Sequence, residues 1–190
     1  MCETMLKWET KNGVDFLKKI GVKSDQKILD FGTRVGHYSI PAAIAIGKTG
    51  TVYAIDKDQS SLNELKLKAK ELGLNNIKII KNSGEIKTDF ENSSIDMTLL
   101  YDVLHYLSKD KRKKLYKEIY RILKEDGLLS VYPKHYKDDY PLDEFKNLTI
   151  DDIMVEIKGF NFRFEKKYCG TISHDEGLNY GCIINFQKII

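Results

Sequence analysis

The chain has 190 residues, of which 31 are basic and 28 acidic, giving a formal charge of +3, and 42% are apolar. A chain of this size buries roughly 70% of its unfolded surface and can hold a core without metals or disulfides. The composition excludes a disordered chain and a strongly basic nucleic-acid binder, and the longest apolar run, Ile40–Ile46, falls far short of the ~20 residues that span a bilayer.

In chain order, Met5–Ile20 reads as a helix stopped by Gly21; with Glu3, Lys7 and Glu9 at the front and no extended apolar stretch, no signal peptide is expected. Five short apolar runs follow: Lys27–Phe31, Thr51–Asp56, Ile77–Lys81, Ile95–Leu100 and Gly127–Tyr132. Several are apolar on both faces, as strands of a parallel sheet covered by helices are. Between them Gly36–Ile46, Asp58–Leu72 and Lys109–Leu123 read as helices, with Asp58 and Ser108 as N-caps and Gly73 as a stop. The basic run KDKRKK (109–114) opens a helix whose apolar positions are Leu115, Ile119, Ile122 and Leu123, so its charges read as a solvated face. A helix near Thr149–Lys158 and two further strands, Asn161–Cys169 and Gly181–Ile189, close the chain. The eleven residues between these strands, rich in turn formers, predict an antiparallel pair at the sheet edge. The pattern predicts an α/β fold: a doubly wound, Rossmann-like, mostly parallel seven-stranded sheet with helices on both faces and a C-terminal antiparallel hairpin.

One domain is expected over residues 1–190: an N-terminal helix (1–24), a cofactor-binding core (25–135) and a substrate-side loop, helix and hairpin (136–190). Three cysteines without C-x-x-C spacing point to a reducing cytoplasm and no structural zinc; pairing of Cys169 with Cys182 across the hairpin stays open. No His, Asp or Glu grouping has metal-ligand spacing, so no metal is expected.

The most informative stretch is ILDFGTRVGHYSIPAA (28–43), where a buried strand ends in an acid and turns through glycines into a small-residue helix. In doubly wound sheets ligands bind beyond the carboxyl ends of the strands, which makes this turn the expected cofactor site. The dinucleotide pattern G-x-G-x-x-G fails, because counting from Gly32 its later glycines are Arg34 and His37, and this disfavours a nicotinamide oxidoreductase.

Asp30, Gly32 and Gly36 instead resemble motif I of class I S-adenosylmethionine-dependent methyltransferases, D-x-G-x-G-x-G, and HYSIPAA is similar to the helix start of the ubiquinone/menaquinone-biosynthesis methylases. The resemblance continues in order through Asp56 at the end of VYAID, IIKNSGEI (79–86), IDMTLLYDVLHYL (95–107) and LKEDGLLSVY (123–132). It implies an S-adenosyl-L-methionine-dependent methyltransferase acting on a small molecule. The cofactor would be held by Asp30, Gly32, Thr33, Arg34, Gly36 and Tyr38 of the turn, by Asp56 and Lys57 after the second strand, by Ser83, Gly84 and Glu85 near the adenine, and by Tyr101. Asp56 would accept the ribose hydroxyls.

Two positions depart from the family pattern. Arg34 replaces the middle glycine, and its guanidinium must turn to solvent or take the methionine carboxylate; Ser83 stands where the family has an adenine-contacting acid. The alternative expectation is therefore a non-catalytic binding or regulatory protein with a degenerate cofactor site at Arg34 and Ser83.

A sulfonium is already an activated electrophile, so alignment carries most of the chemistry. Should the acceptor be a hydroxyl or an acidic carbon, His105 is the candidate base, with Asp102 three residues earlier to orient it. Tyr38, Tyr101, Tyr106, Tyr132 and Tyr136 cluster near the same sheet edge, at least two of them as packing residues. The fourth strand lacks the [DN]-P-P-[YF] ending of enzymes that methylate base or glutamine amines, and the mild charge disfavours a nucleic-acid acceptor.

Overall fold

The computed structural model describes residues 3–189. The chain forms two compact units, one from residues up to 84 together with 169–181, the other from 85–168 with 182 onward. The strands are ordered β3-β2-β1-β4-β5-β7-β6 in a seven-stranded sheet, the mostly parallel α/β class expected.

In the first unit, α1 (Glu3–Lys7), a π-helical turn (Trp8–Asn12) and α2 (Gly13–Lys19) run on from one another. The expected single α-helix thus carries a wide turn at its middle. Strands β1 (Lys27–Phe31), β2 (Thr51–Asp56) and β3 (Ile77–Lys81) have the boundaries read from their apolar runs, and pair in parallel. Their register sets Asp30 opposite Ala54 and Asp56 opposite Lys81. Helix α3 (Ser39–Ile46) starts three residues later than expected, because residues 36–38 remain in the turn. Asp58 caps α4 (Gln59–Glu71), accepting from the Ser61 N–H at 2.9 Å.

In the second unit, β4 (Ile95–Tyr101) pairs in parallel with β5 (Leu123–Tyr132). Strand β5 begins directly at the end of α5 (Lys109–Ile122), four residues before the expected start, and the register jumps from Ile95↔Leu123 to Met97↔Leu128. Gly127 permits this bulge, since a Cβ there would meet the Lys124 carbonyl oxygen at 2.8 Å. Arg112 corrects the reading of KDKRKK as a wholly solvated face: it is 2% exposed and bonds Glu156 of α6 (Ile150–Lys158) through Nε at 2.8 Å and Nη2 at 2.9 Å. Thr149 and Asp152 close α6 with a reciprocal capping box.

The closing hairpin is longer than expected. Strands β6 (Phe162–His174) and β7 (Gly177–Lys188) leave only Asp175 and Glu176 between them, with Asp175 at φ 50°. The polar segment expected to be a loop is strand because its backbone groups find partners across the hairpin. Cys169 and Cys182 are both disulfide-bonded. Among the described residues no helix is long and apolar enough to cross a membrane.

Candidate functional site

The turn after β1 is built by backbone bonds. The N–H groups of Gly32 and Thr33 both donate to the Ile55 carbonyl, at 2.8 and 3.0 Å, and Gly36 N–H donates to Thr33 O at 2.9 Å. Gly36 sits at φ 89°, and a Cβ there would fall 2.3 Å from Leu65 Cδ1, so glycine is required for conformation and for packing against α4. Arg34 also takes a left-handed conformation, φ 47°, which explains why the family pattern has glycine here. For arginine that conformation costs about 1–2 kcal/mol.

Asp30 is buried beneath the turn and accepts from Ser39 Oγ at 2.7 Å. Ser39 Oγ also lies 2.7 Å from the Thr33 hydroxyl. Burial pushes the Asp30 carboxyl up to about 6; the bonds from Ser39 and Thr33 pull it down, and the charge of Asp56 adds to the rise.

Asp56 ends β2 with its carboxylate fixed by two backbone donors, Arg34 N–H to Oδ2 at 2.8 Å and Asp58 N–H to Oδ1 at 2.9 Å. Each oxygen keeps lone-pair capacity, so the group fits a pair of ribose hydroxyls. Lys57, Ser83, Gly84 and Glu85 are exposed, and the space a Gly84 side chain would enter is open. These features suit an adenosine moiety lying past the ends of β2 and β3.

The Arg34 guanidinium, half exposed, pairs with Asp175 at 2.9 Å and approaches Glu176 at 3.9 Å. Tyr38 donates to the Ser173 carbonyl at 2.7 Å. The hairpin tip therefore grips the turn at two points. Sequence reasoning missed this, and it also missed the buried group behind the turn. There Glu9 Oε1 meets His37 Nδ1 at 2.7 Å and Lys68 Nζ at 3.2 Å, while Trp8 Nε1 donates to the His37 carbonyl at 2.9 Å. The π-helical turn brings the adjacent residues Trp8 and Glu9 onto one partner.

In the second unit, Tyr101 is buried, shares a 2.7 Å hydrogen bond with Ser130 and meets Tyr132 edge to face, so both rings are packing residues. Asp102 follows at φ 55°. His105 lies in a 3₁₀ turn (Leu104–Tyr106), completely buried, with Nδ1 3.6 Å from Asp102 Oδ1. The expected pair is brought together, though beyond direct hydrogen-bond reach. A third group joins it from the loop after β5: His135, at φ 61°, has Nε2 3.8 Å from the same Asp102 oxygen, and its ring centroid is 4.5 Å from that of His105. Left-handed backbone at non-glycine residues gathers at functional sites. The signal for His135 is its place just after Pro133 in the segment that follows β5.

A methyltransferase-domain family model matches residues 28–127. The ubiquinone/menaquinone biosynthesis C-methyltransferase UbiE of Haemophilus ducreyi is 26% identical over 156 residues, 82% of this chain and 55% of that protein. A probable cobalt-precorrin-6B C(15)-methyltransferase (decarboxylating) of Saccharolobus solfataricus is 38% identical over 66 residues, 34% of this chain and 33% of that protein. The chain thus spans between a third and just over half the length of these relatives. The crystal structure of a SAM-dependent methyltransferase from Aquifex aeolicus superposes with a TM-score of 0.77 at 22% identity, covering 96% of this chain and 93% of that one. The chain belongs to the methyltransferase-domain family and has the fold of the solved SAM-dependent methyltransferase.

Proposed function

We propose that the protein transfers a methyl group from S-adenosylmethionine to a small-molecule acceptor by in-line displacement. The observation that carries this reading is Asp56, a carboxylate held by the Arg34 and Asp58 N–H groups at the carboxyl end of β2, with lone pairs left for a ribose diol. Asp30, Gly32, Thr33, Gly36 and Tyr38 shape the turn around the donor, Lys57, Ser83, Gly84 and Glu85 flank the adenosine, and Arg34 serves as a clasp for the hairpin. The donor supplies the activated methyl group; the protein supplies alignment and exclusion of water.

Both curated relatives are named for methylating carbon, which supports an acceptor with an acidic carbon and a need for a proton acceptor. Asp102 and His105 fill that role in this reading, with His135 beside them. The test is incubation with methyl-labelled S-adenosylmethionine and a cell extract divided by molecular mass. Label is expected in the low-mass fraction and lowered by about 10²-fold or more in His105→Gln. Label confined to RNA or protein, or no transfer at all, would overturn the proposal.

A further inference from the structure

A cavity of about 360 Å³ opens in the first unit beside the turn, with Met5 and Leu67 as its apolar wall and Glu64, Glu71 and Glu176 as its acidic one. His37 and Lys68 complete the lining, while Asp30, Gly32, Thr33 and Asp56 take no part in it.

Charge and hydrogen-bond polarity decide what such a cavity takes. Three carboxylates face one ammonium, and Lys68 Nζ is already shared between Glu9 and Glu64, each at 3.2 Å. The Glu9 carboxylate only accepts, so its 2.7 Å contact takes a proton from His37 Nδ1, and in the tautomer protonated there the ring presents its Nε2 lone pair to the cavity. Nε2 is buried without a hydrogen-bond partner among the described residues, on a side chain that lines the cavity and belongs to a residue only 9% exposed. Across from it, Glu176 Oε2 stands 3.6 Å away, too far for a direct bond. Two acceptors at that separation suit one donor carrying several hydrogens. Behind them Glu9 is fully buried and its Oε2 has no hydrogen-bond partner among the described residues, which deepens the negative potential. The π-helical turn that places Glu9 here is a distortion common at functional sites.

We propose that this cavity binds a small aliphatic primary amine, its ammonium bridging His37 Nε2 and Glu176 Oε2 and its alkyl chain lying along Met5 and Leu67. The site is separate from that of the methyl donor. Since Glu176 adjoins Asp175, the partner of Arg34, an amine bound here also bears on the hairpin tip over the turn.

Calorimetric titration of the full chain at neutral pH tests this, using n-pentylamine with n-pentanol as the neutral control, each with and without saturating S-adenosylhomocysteine. The amine is expected to bind one to one, the alcohol not at all, and binding should persist when the nucleoside is present. Glu176→Gln, at an exposed tip position that leaves the fold intact, should weaken the amine at least tenfold. No amine binding, equal binding of the alcohol, displacement by S-adenosylhomocysteine or an unchanged Glu176→Gln affinity would each overturn the proposal. Should S-adenosylhomocysteine itself fail to bind, the methyltransferase reading falls, and the amine and alcohol titrations with the Glu176→Gln variant still decide this one.

Discussion

Replacing Asp30 by Asn tests the reasoning about the turn most sharply, because the effect has both a size and a pH window. The Asp30 carboxyl is raised from 3.8 to about 6 chiefly by burial. That rise corresponds to about 3 kcal/mol, and at 3% exposure little of it is screened. The sign follows from proton counting: between these two values the folded state binds more protons than the unfolded one, so stability falls as pH rises. The wild-type protein should therefore be as stable as Asp30→Asn near pH 3, below both values, and less stable by about 3 kcal/mol above pH 7. Asn retains an oxygen to accept from Ser39, so the comparison isolates the charge. Urea denaturation of the ligand-free proteins at several pH values measures it. A stability difference that stays flat from about pH 4 to 7, or a variant less stable at neutral pH, would refute the account of the buried carboxylate.

Gly36→Ala should lose about 2–4 kcal/mol, from positive φ together with a 2.3 Å clash with Leu65, and the loss should shrink in a Leu65→Ala background where only the backbone part remains; equal losses in both backgrounds would remove the clash from the explanation. Arg112→Ala should cost about 2–4 kcal/mol in chemical denaturation by removing a buried guanidinium and unpairing the partly buried Glu156, whereas Lys113→Ala, on the exposed side of the same basic run, should stay within about 0.5 kcal/mol. Arg34→Gly should change stability by less than about 1 kcal/mol, since relief of left-handed strain offsets loss of an exposed ion pair; a loss of several kcal/mol would show that the clasp is structurally essential.

What could be read from sequence was local. The first three strands were bounded correctly because each is a short apolar run between turn formers, and Asp58 announced its helix by side-chain chemistry confined to one turn. The turn and Asp56 were legible for the same reason, lying at fixed offsets from strand ends. The group around Glu9 was not, since its partners are 28 and 59 residues away and no local pattern links them. A partial signal existed: Lys68 interrupts the apolar stripe Leu62, Leu65, Ala69 of α4, and Arg112 sits one turn before Leu115 on the buried stripe of α5. A charge on an apolar stripe asks for a buried partner. The hairpin tip was misread because Gly170, Asp175, Gly177 and Asn179 look like a loop, while the backbone bonds that make most of the segment strand come from pairing, which composition does not record.

The central claim is that the turn after β1 and the acid that ends β2 hold the methyl donor. Calorimetry with S-adenosylhomocysteine on the wild-type protein and on Asp56→Ala tests it directly. The account predicts one-to-one binding to the wild type and an affinity at least tenfold lower in the variant, as loss of a charged acceptor of two hydroxyls requires. No binding to the wild type, or undiminished binding to Asp56→Ala, would contradict it.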